Sequence, residues 1–197
     1  MSTKGRRSRA DAAAETMARL VAVAQVAFAE EGYGAVSLDA LAAGAGVTRG
    51  ALHHHFGNKE GLFRAVVERI DAEIGAGLEA LYATFDDRWA GLRGCYHAYL
   101  DAVLEPSRRR IVVRDMPAVM GMEGVDLLMN AGLAELVEDL RQQIAEGRIV
   151  GTDPEALAHL FNGAVMQLAF WAAEGDATRL EKAHAALDLM FDGVTKR

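Results

Sequence analysis

Read for spacing alone, the chain is a run of apolar positions three and four residues apart, punctuated by glycine, proline and capping residues. Met17, Leu20, Val21, Ala24 and Phe28 recur at helical spacing, so residues 11–31 are predicted as a helix. Gly32 can end it as the left-handed residue past the last turn. Ser37 can cap a second, short helix over 38–44, with Leu38, Leu41 and Ala42 turned inward. Gly46 can take the positive φ of a tight turn, and Val47 plugs beneath it. Thr48 can cap a third helix over 49–55. Asn58 caps a fourth over 58–81, where Leu62, Phe63, Val66, Ile70, Ile74, Leu78 and Leu81 form a long stripe. Gly75 and Gly77 weaken that helix and mark either a bend or a close helix crossing.

The helical period continues beyond it. Trp89, Leu92, Tyr96, Tyr99, Leu100 and Val103 line one helix, stopped at Pro106. "SRRRIVVRDM" reads as a short element ending at Pro117, followed by a helix of roughly 121–147. Asp153-Pro154 opens a helix over 154–174, and Leu180, Leu187, Met190, Phe191 and Val194 stripe a last one over 179–194. No internal repeat stands out. The fold expected is all-α: a three-helix head, in which the short pair at 38–55 and its glycine turn have the shape of a helix-turn-helix, feeding a larger helical body. Two such short helices cannot bury themselves, so the stripes of 11–31 and 58–81 supply the third wall.

Composition sharpens this picture in three places. Half of the 197 residues are hydrophobic and only three are proline, which suits helices around a substantial core. Cys95 is the single cysteine, so no internal disulfide and no CxxC motif exists, in keeping with a cytoplasmic protein. No apolar run of membrane-spanning length free of charge stands out, and the expectation is a protein without a membrane partner. The net charge of −7 looks wrong for a nucleic-acid binder, but its distribution does not. Residues 1–64 hold 8 Lys and Arg against 6 Asp and Glu, a balance of +2, while residues 65–197 carry −9. Four of the cations, Lys4, Arg6, Arg7 and Arg9, fall in residues 1–10, read as a disordered basic arm that either orders on DNA or acts as a solubilising tail.

The chemistry turns on "TRGALHHHFGNKEGLF", residues 48–63. On a helix, ligands converge on one ion when three or four residues apart; adjacent His53, His54 and His55 point about 100° apart, so no metal site is expected. No GxSxG, P-loop or GxGxxG motif occurs, and no catalytic residue or cofactor is assigned: the chain is not read as an enzyme. A DNA-facing helix fits better. Leu52 and Phe56 share the buried face, which turns His53 and His55 outward, while His54 partly packs against neighbouring helices. Thr48, Arg49 and Gly50 stand at the helix N-terminus, the end that a helix entering the major groove presents. Arg49 can donate to guanine O6 and N7 or clamp a phosphate, Gly50 permits close approach, and Lys59 starts the next helix where its ammonium suits a phosphate. Asp39 is a departure: it favours the dipole of its own helix but repels a close phosphate.

The segment "AVSLDALAAGAGVTRGALHHHFGNKEGLFRAVVE" closely resembles the DNA-binding segment of the TetR family of transcriptional repressors. The match falls on Ala45, Gly46, Val47, Thr48, Arg49, Gly50, Ala51, Leu52, His55, Phe56, Lys59, Glu60 and Leu62, and covers roughly residues 11–64. It departs at His53, where the family usually carries a phosphate-bonding tyrosine; a histidine can donate the same bond. The resemblance implies a division into the arm 1–10, a DNA-binding domain 11–57 and an effector-binding and dimerisation domain 58–197. Its implied DNA-contact set is Ser37, Thr48, Arg49, Gly50, Ala51, His53, His55 and Lys59.

It further implies a homodimer on a palindromic double-stranded operator, released by an unknown, largely apolar small-molecule effector. Positions for the effector pocket are Trp89, Tyr96, Tyr99, Met116, Met120, Met129, Phe161, Met166 and Phe170, each of which also reads as plain core. Positions for the dimer interface are Phe161, Leu168, Trp171, Leu187 and Phe191, with intrachain core as the competing use. Arg108, Arg109 and Arg110 read either as an anion site or as a solvated turn. The alternative to a regulator is a helical adaptor whose head contacts protein rather than DNA.

Overall fold

The computed structural model describes residues 9–196. Among them ten α-helices and one π-helical segment follow one another, with no strand and one isolated antiparallel bridge, Ile149 to Thr195. The chain forms two compact units, Met1–Arg69 and Ile70–Arg197. Residues 1–8 of the expected basic arm lie outside the described residues. Arg9 and Ala10 already belong to the first helix.

The first unit contains α1 (Arg9–Glu31), α2 (Leu38–Ala45), α3 (Arg49–Phe56) and the opening turns of α4 (Lys59–Tyr82). Local chemistry sets each boundary. The Ser37 hydroxyl accepts from the Ala40 N–H at 3.5 Å, Thr48 Oγ1 from Ala51 at 3.1 Å, and Asn58 Oδ1 from Gly61 at 2.8 Å. Gly46 sits at φ 68°, and the N–H groups of Gly46 and Val47 return to the carbonyls of Ala43 and Ala42. That pair of hydrogen bonds closes α2 and fixes the turn into α3. Gly61 answers a different need: a Cβ there would lie 2.0 Å from the Phe56 carbonyl oxygen, so only glycine lets α4 start this close to the end of α3. Beneath these helices Leu20, Ala24, Phe28, Leu52, Leu62, Phe63, Val66 and Val67 are buried, and Phe28 meets Phe63 edge-on at 5.0 Å. Each large side chain so buried contributes about 1.5–3 kcal/mol. The compact unit extends to Arg69, inside α4, whereas the sequence reading divides the chain at 57/58.

The second unit comprises the rest of α4, α5 (Arg88–Leu104), α6 (Pro106–Arg108), a π-helical segment (Arg109–Asp115), α7 (Met116–Asn130), α8 (Leu133–Ala145), α9 (Pro154–Ala173) and α10 (Ala177–Val194). Here the sequence reading needs correction. "SRRRIVVRDM" does not stop at Pro117, because that proline sits in the first turn of α7, where it has no helical N–H to lose. The single helix expected over 121–147 is two. Gly121 leaves helical geometry at φ 59° and ψ −143°, and Gly132, at φ 64°, separates α7 from α8. Gly75 and Gly77 mark neither a bend nor a crossing: α4 runs through both, and a Cβ at either would meet open space.

Helix α9 packs against α5, α7, α8 and α10 and is the axis of this unit. Its Leu157, Ala158, Phe161, Val165, Met166, Ala169 and Ala172 are buried. The same helix is long and apolar enough, by composition, to cross a membrane, which qualifies the expectation that no such run exists. Burial of its inner face accounts for part of that composition; Leu160 and Trp171 on its outer face are exposed. Trp89, Tyr96, Phe161 and Phe191 form one aromatic cluster with edge-on contacts from 4.8 to 6.1 Å. Phe161, Leu187 and Phe191 have no exposed area. They are therefore intrachain core, and the interface role expected of them is corrected: a side chain sealed inside one chain has nothing to offer a second. A polar seam joins α5 to α10. His97 and His184 stack at 4.8 Å with their Nδ1 atoms 2.6 Å apart, while their Nε2 atoms reach Asp188 at 3.0 Å and Asp101 at 2.8 Å.

Candidate functional site

The surface formed by the α2–α3 turn carries the residues singled out in the sequence. Ser37, Thr48, Arg49, Gly50, His53 and His55 are exposed; Ala51 and Lys59 are half-buried. His54 is exposed as well, which corrects its expected packing, so all three histidines point to solvent. A Cβ on Gly50 would find its nearest neighbour, Thr48 Oγ1, 3.9 Å away, so this glycine leaves the helix start open rather than filling a packing need. The face combines a capped helix N-terminus, where backbone N–H groups are free for an anion, with a guanidinium and imidazoles beside it.

Two partners of this face were not read from the sequence. Arg49 Nη1 lies 3.1 Å from Asp39 Oδ2, with both side chains largely exposed. An exposed pair of this kind is worth at most about 1 kcal/mol, so it does not withhold Arg49 from a competing phosphate or base. Lys59 donates to the Gly34 carbonyl at 3.2 Å and its Nζ lies 4.8 Å from the centre of the Tyr33 ring. Tyr33 in turn stacks on Phe28 at 5.9 Å and meets Phe63 at 5.1 Å. The ammonium is thus tied to the aromatic core of its unit. The acid-to-arginine spacing of ten residues and the lysine-to-loop spacing of twenty-five follow no helical period, so no pattern search finds them.

The second unit carries a cavity of about 970 Å³ that opens to solvent on one side. Its wall is contributed by α4, α5, α7, α8 and α9, and is mostly apolar: Ile74, Leu78, Leu92, Leu128, Leu136 and Val165 among others. Of the expected pocket residues, Tyr96, Tyr99, Met129 and Met166 line it. Trp89 and Phe161 stand behind in the aromatic cluster, Met116 and Met120 are buried around Gly124, and half-buried Phe170 is not in the wall. Arg108, Arg109 and Arg110 do not line it either; Arg108 instead faces Glu73 at 3.8 Å.

The polar groups in the wall were missed because they come from helices far apart in sequence. Tyr96 donates to Asn162 Oδ1 at 2.7 Å, and Asn162 donates to the Met129 carbonyl at 2.9 Å. Tyr82 donates to Asp139 at 2.6 Å, and Arg88 pairs with the same carboxylate at 2.7 Å. Cys95 donates to the Leu78 carbonyl at 3.4 Å, and burial pushes its thiol pKa up, which keeps it protonated. Burial likewise raises the phenols of Tyr96 and Tyr99, so both enter any ligand contact as neutral hydroxyls.

Comparison with known proteins addresses both units. A family profile described as "Bacterial regulatory proteins, tetR family" matches residues 20–66, and one described as "Tetracyclin repressor-like, C-terminal domain" matches residues 89–194. The crystal structure of a TetR-family transcriptional regulator from Pectobacterium atrosepticum is 42% identical and superposes with a TM-score of 0.85, over 97% of this chain and 99% of that one. The transposon Tn10 TetC protein of Escherichia coli is 29% identical over 164 residues, 80% of each chain. The structure of RolR in complex with resorcinol shares the fold at a TM-score of 0.73 and 21% identity, over 94% of this chain and 90% of that one.

Proposed function

The chain belongs to the TetR family of transcriptional regulators, and on that premise we propose that it is a repressor that leaves a palindromic operator when a small molecule fills the cavity of its second unit. The observation that carries the DNA half is the start of α3: a Thr48 cap, exposed Arg49 and unencumbered Gly50, held by the Gly46 turn. Arg49 reads a base edge, while Lys59, His53, His55, Ser37 and Thr48 hold phosphates, and Ala51 lies against the groove. As a homodimer the protein spans two successive major grooves, about 34–36 Å apart.

The dimer surface is assigned to the outer faces of α9 and α10. Leu160 is 58% exposed, Trp171 37% and Leu189 74%, and half-buried Leu168 lies on the same side as Leu160 and Trp171 by helical spacing. Exposed Ala185 and Ala186 flank Leu189 and allow close helix approach. Of the interface positions read from the sequence, Leu168 and Trp171 remain in this assignment.

Effector action requires a ligand that favours one conformation over another. Helix α4 carries Lys59 at one end and cavity residues from Asp71 to Tyr82 at the other. A shift of α4 on ligand binding therefore moves the start of the same helix. The test is a salt series of fluorescence-anisotropy titrations with DNA from upstream of the protein's own gene, against scrambled DNA of equal length. Tight, sequence-selective binding with steep salt dependence is expected. Absence of binding to either DNA at low salt would remove the DNA-binding role and favour a protein-contact head.

A further inference from the structure

The cavity wall is apolar in area but one-sided in charge. Five carboxylates line it, Asp71, Glu79, Glu135, Glu138 and Asp139, against one cation, Arg88. Arg88 pairs with Asp139, and Glu138 pairs with Arg141. Asp71, Glu79 and Glu135 are left without an ion-pair partner among the described residues. Glu79 and Glu135 are exposed at the margin, but Asp71 is half-buried, on the same wall as Tyr96 and Tyr99. Burial raises its carboxyl above the usual range, with no neighbouring cation to oppose the shift.

From this wall we infer that the ligand of the cavity is a hydrophobic organic cation, an amine or quaternary ammonium on an aromatic or aliphatic body, with Asp71 as its counter-ion. The inference rests on the reading of the cavity as the effector site. A neutral ligand that closes the cavity takes more water from Asp71 and returns at most a hydrogen bond, not a charge, and an anion adds repulsion to that loss. A cation supplies the missing partner. The tyrosine rings add a second attraction, since positive charge is drawn to an aromatic face. Leu78, Leu92, Leu128 and Met166 then cover the apolar body, and the flexible thioether accommodates variation in its shape.

The experiment is isothermal titration calorimetry on the full chain with three probes that share one body: biphenyl-4-ylmethyl-trimethylammonium, 4-biphenylmethanol and biphenyl-4-acetate. The cation is expected to bind about tenfold or more tighter than the alcohol, a difference of about 1.4 kcal/mol, and the carboxylate weakest of the three. In Asp71→Asn the cation falls to within about threefold of the alcohol, while the alcohol is unchanged. A melting temperature of that variant at or above the wild type confirms that it is folded. Equal wild-type affinity for cation and alcohol, or a cation advantage that survives Asp71→Asn, overturns the charge assignment alone, provided that the alcohol still binds and is blocked by Gly75→Phe, at a wall position where a Cβ meets open space. Failure of all three probes to bind overturns both the assignment and the effector reading on which it rests.

Discussion

Thr48, Arg49 and Gly50 stand exposed at the start of α3, whereas Tyr96, Asn162 and Met166 reach the cavity from α5 and α9, whose inner faces form a core. The first set has its partners close in sequence, a cap bond three residues on and a carboxylate ten residues back on α2. The second is held by partners 33 and 66 residues distant. The charges differ as well, +2 for residues 1–64 and −9 for the rest. A polyanion can be met by a few cations on a rigid surface, so that function can be built locally. A ligand has to be enclosed, which requires several elements to close on one another. The surface function therefore tolerates changes in its own side chains without unfolding, while the enclosed one shares residues with the core.

The largest effect expected is on the enclosed side. Phe191 has no exposed area and touches Trp89, Tyr96 and Phe161. Phe191→Ala is expected to cost about 3–5 kcal/mol in urea denaturation, and to weaken ligand binding because Tyr96 loses its backing. A cost below about 1 kcal/mol would mean that the cluster is not what holds α5, α9 and α10 together. On the surface side, Arg49→Ala is expected to reduce specific operator binding by about 1–3 kcal/mol, with a smaller loss on scrambled DNA. Its unfolding free energy should move by no more than about 0.5 kcal/mol, and a larger change would erase the contrast between the two regions.

Capping residues allow a closer comparison, since both regions have one. Asp87 Oδ1 accepts from the N–H groups of Trp89 and Ala90, at 2.9 and 3.2 Å, and Asp87 also pairs with Arg148. The bond from Arg148, aided by the backbone N–H groups, holds its carboxyl below the usual range. A depressed folded-state pKa gives stability that is present above the unfolded carboxylate pKa and lost as pH falls through the folded one. Asp87→Asn should thus cost about 1 kcal/mol at pH 7, solvent screening keeping it small, and less as the medium is acidified below about pH 4. Thr48→Ala removes a neutral cap, so its stability cost should not vary over the same range. Parallel pH profiles for the two would refute the ionic origin of the first.

Legibility follows the same division. The turn and caps of the first unit are readable because Ser37, Gly46, Thr48 and Asn58 act on atoms within a few residues, where spacing determines geometry. The boundary between α7 and α8 is not, since a long apolar period conceals a glycine break. Periodicity identifies which face of a helix is apolar, but not whether that face meets its own chain, another chain or a cavity. That is why spacing offers Phe161 to both pocket and interface although it belongs to the core, and why it does not single out Asp71 at all. In the surface region, Lys59 is a residue whose role is readable but whose setting is not. Lys59→Ala should weaken binding to every DNA sequence by less than about 1 kcal/mol and reduce the salt slope by about one, and it uncovers the face of the Tyr33 ring. A sequence-dependent loss would show instead that Lys59 reads bases.

The smallest effect concerns Asp39, where two consequences of one charge oppose each other. Its carboxylate repels phosphate and holds Arg49 at 3.1 Å; it also lies in the first turn of α2, where negative charge favours the helix dipole. If repulsion dominates, Asp39→Asn tightens DNA binding; if orientation of Arg49 dominates, it weakens the operator while sparing scrambled DNA. The exposure of both partners decides between them, because a solvated pair contributes little order, at most about 1 kcal/mol. The expected result is therefore a two- to fivefold gain, roughly, on operator and scrambled DNA alike at low salt, fading as ionic strength shortens the reach of the charge. A selective loss on the operator would show that Asp39 presents Arg49 to its base, making even the surface site depend on a contact between helices.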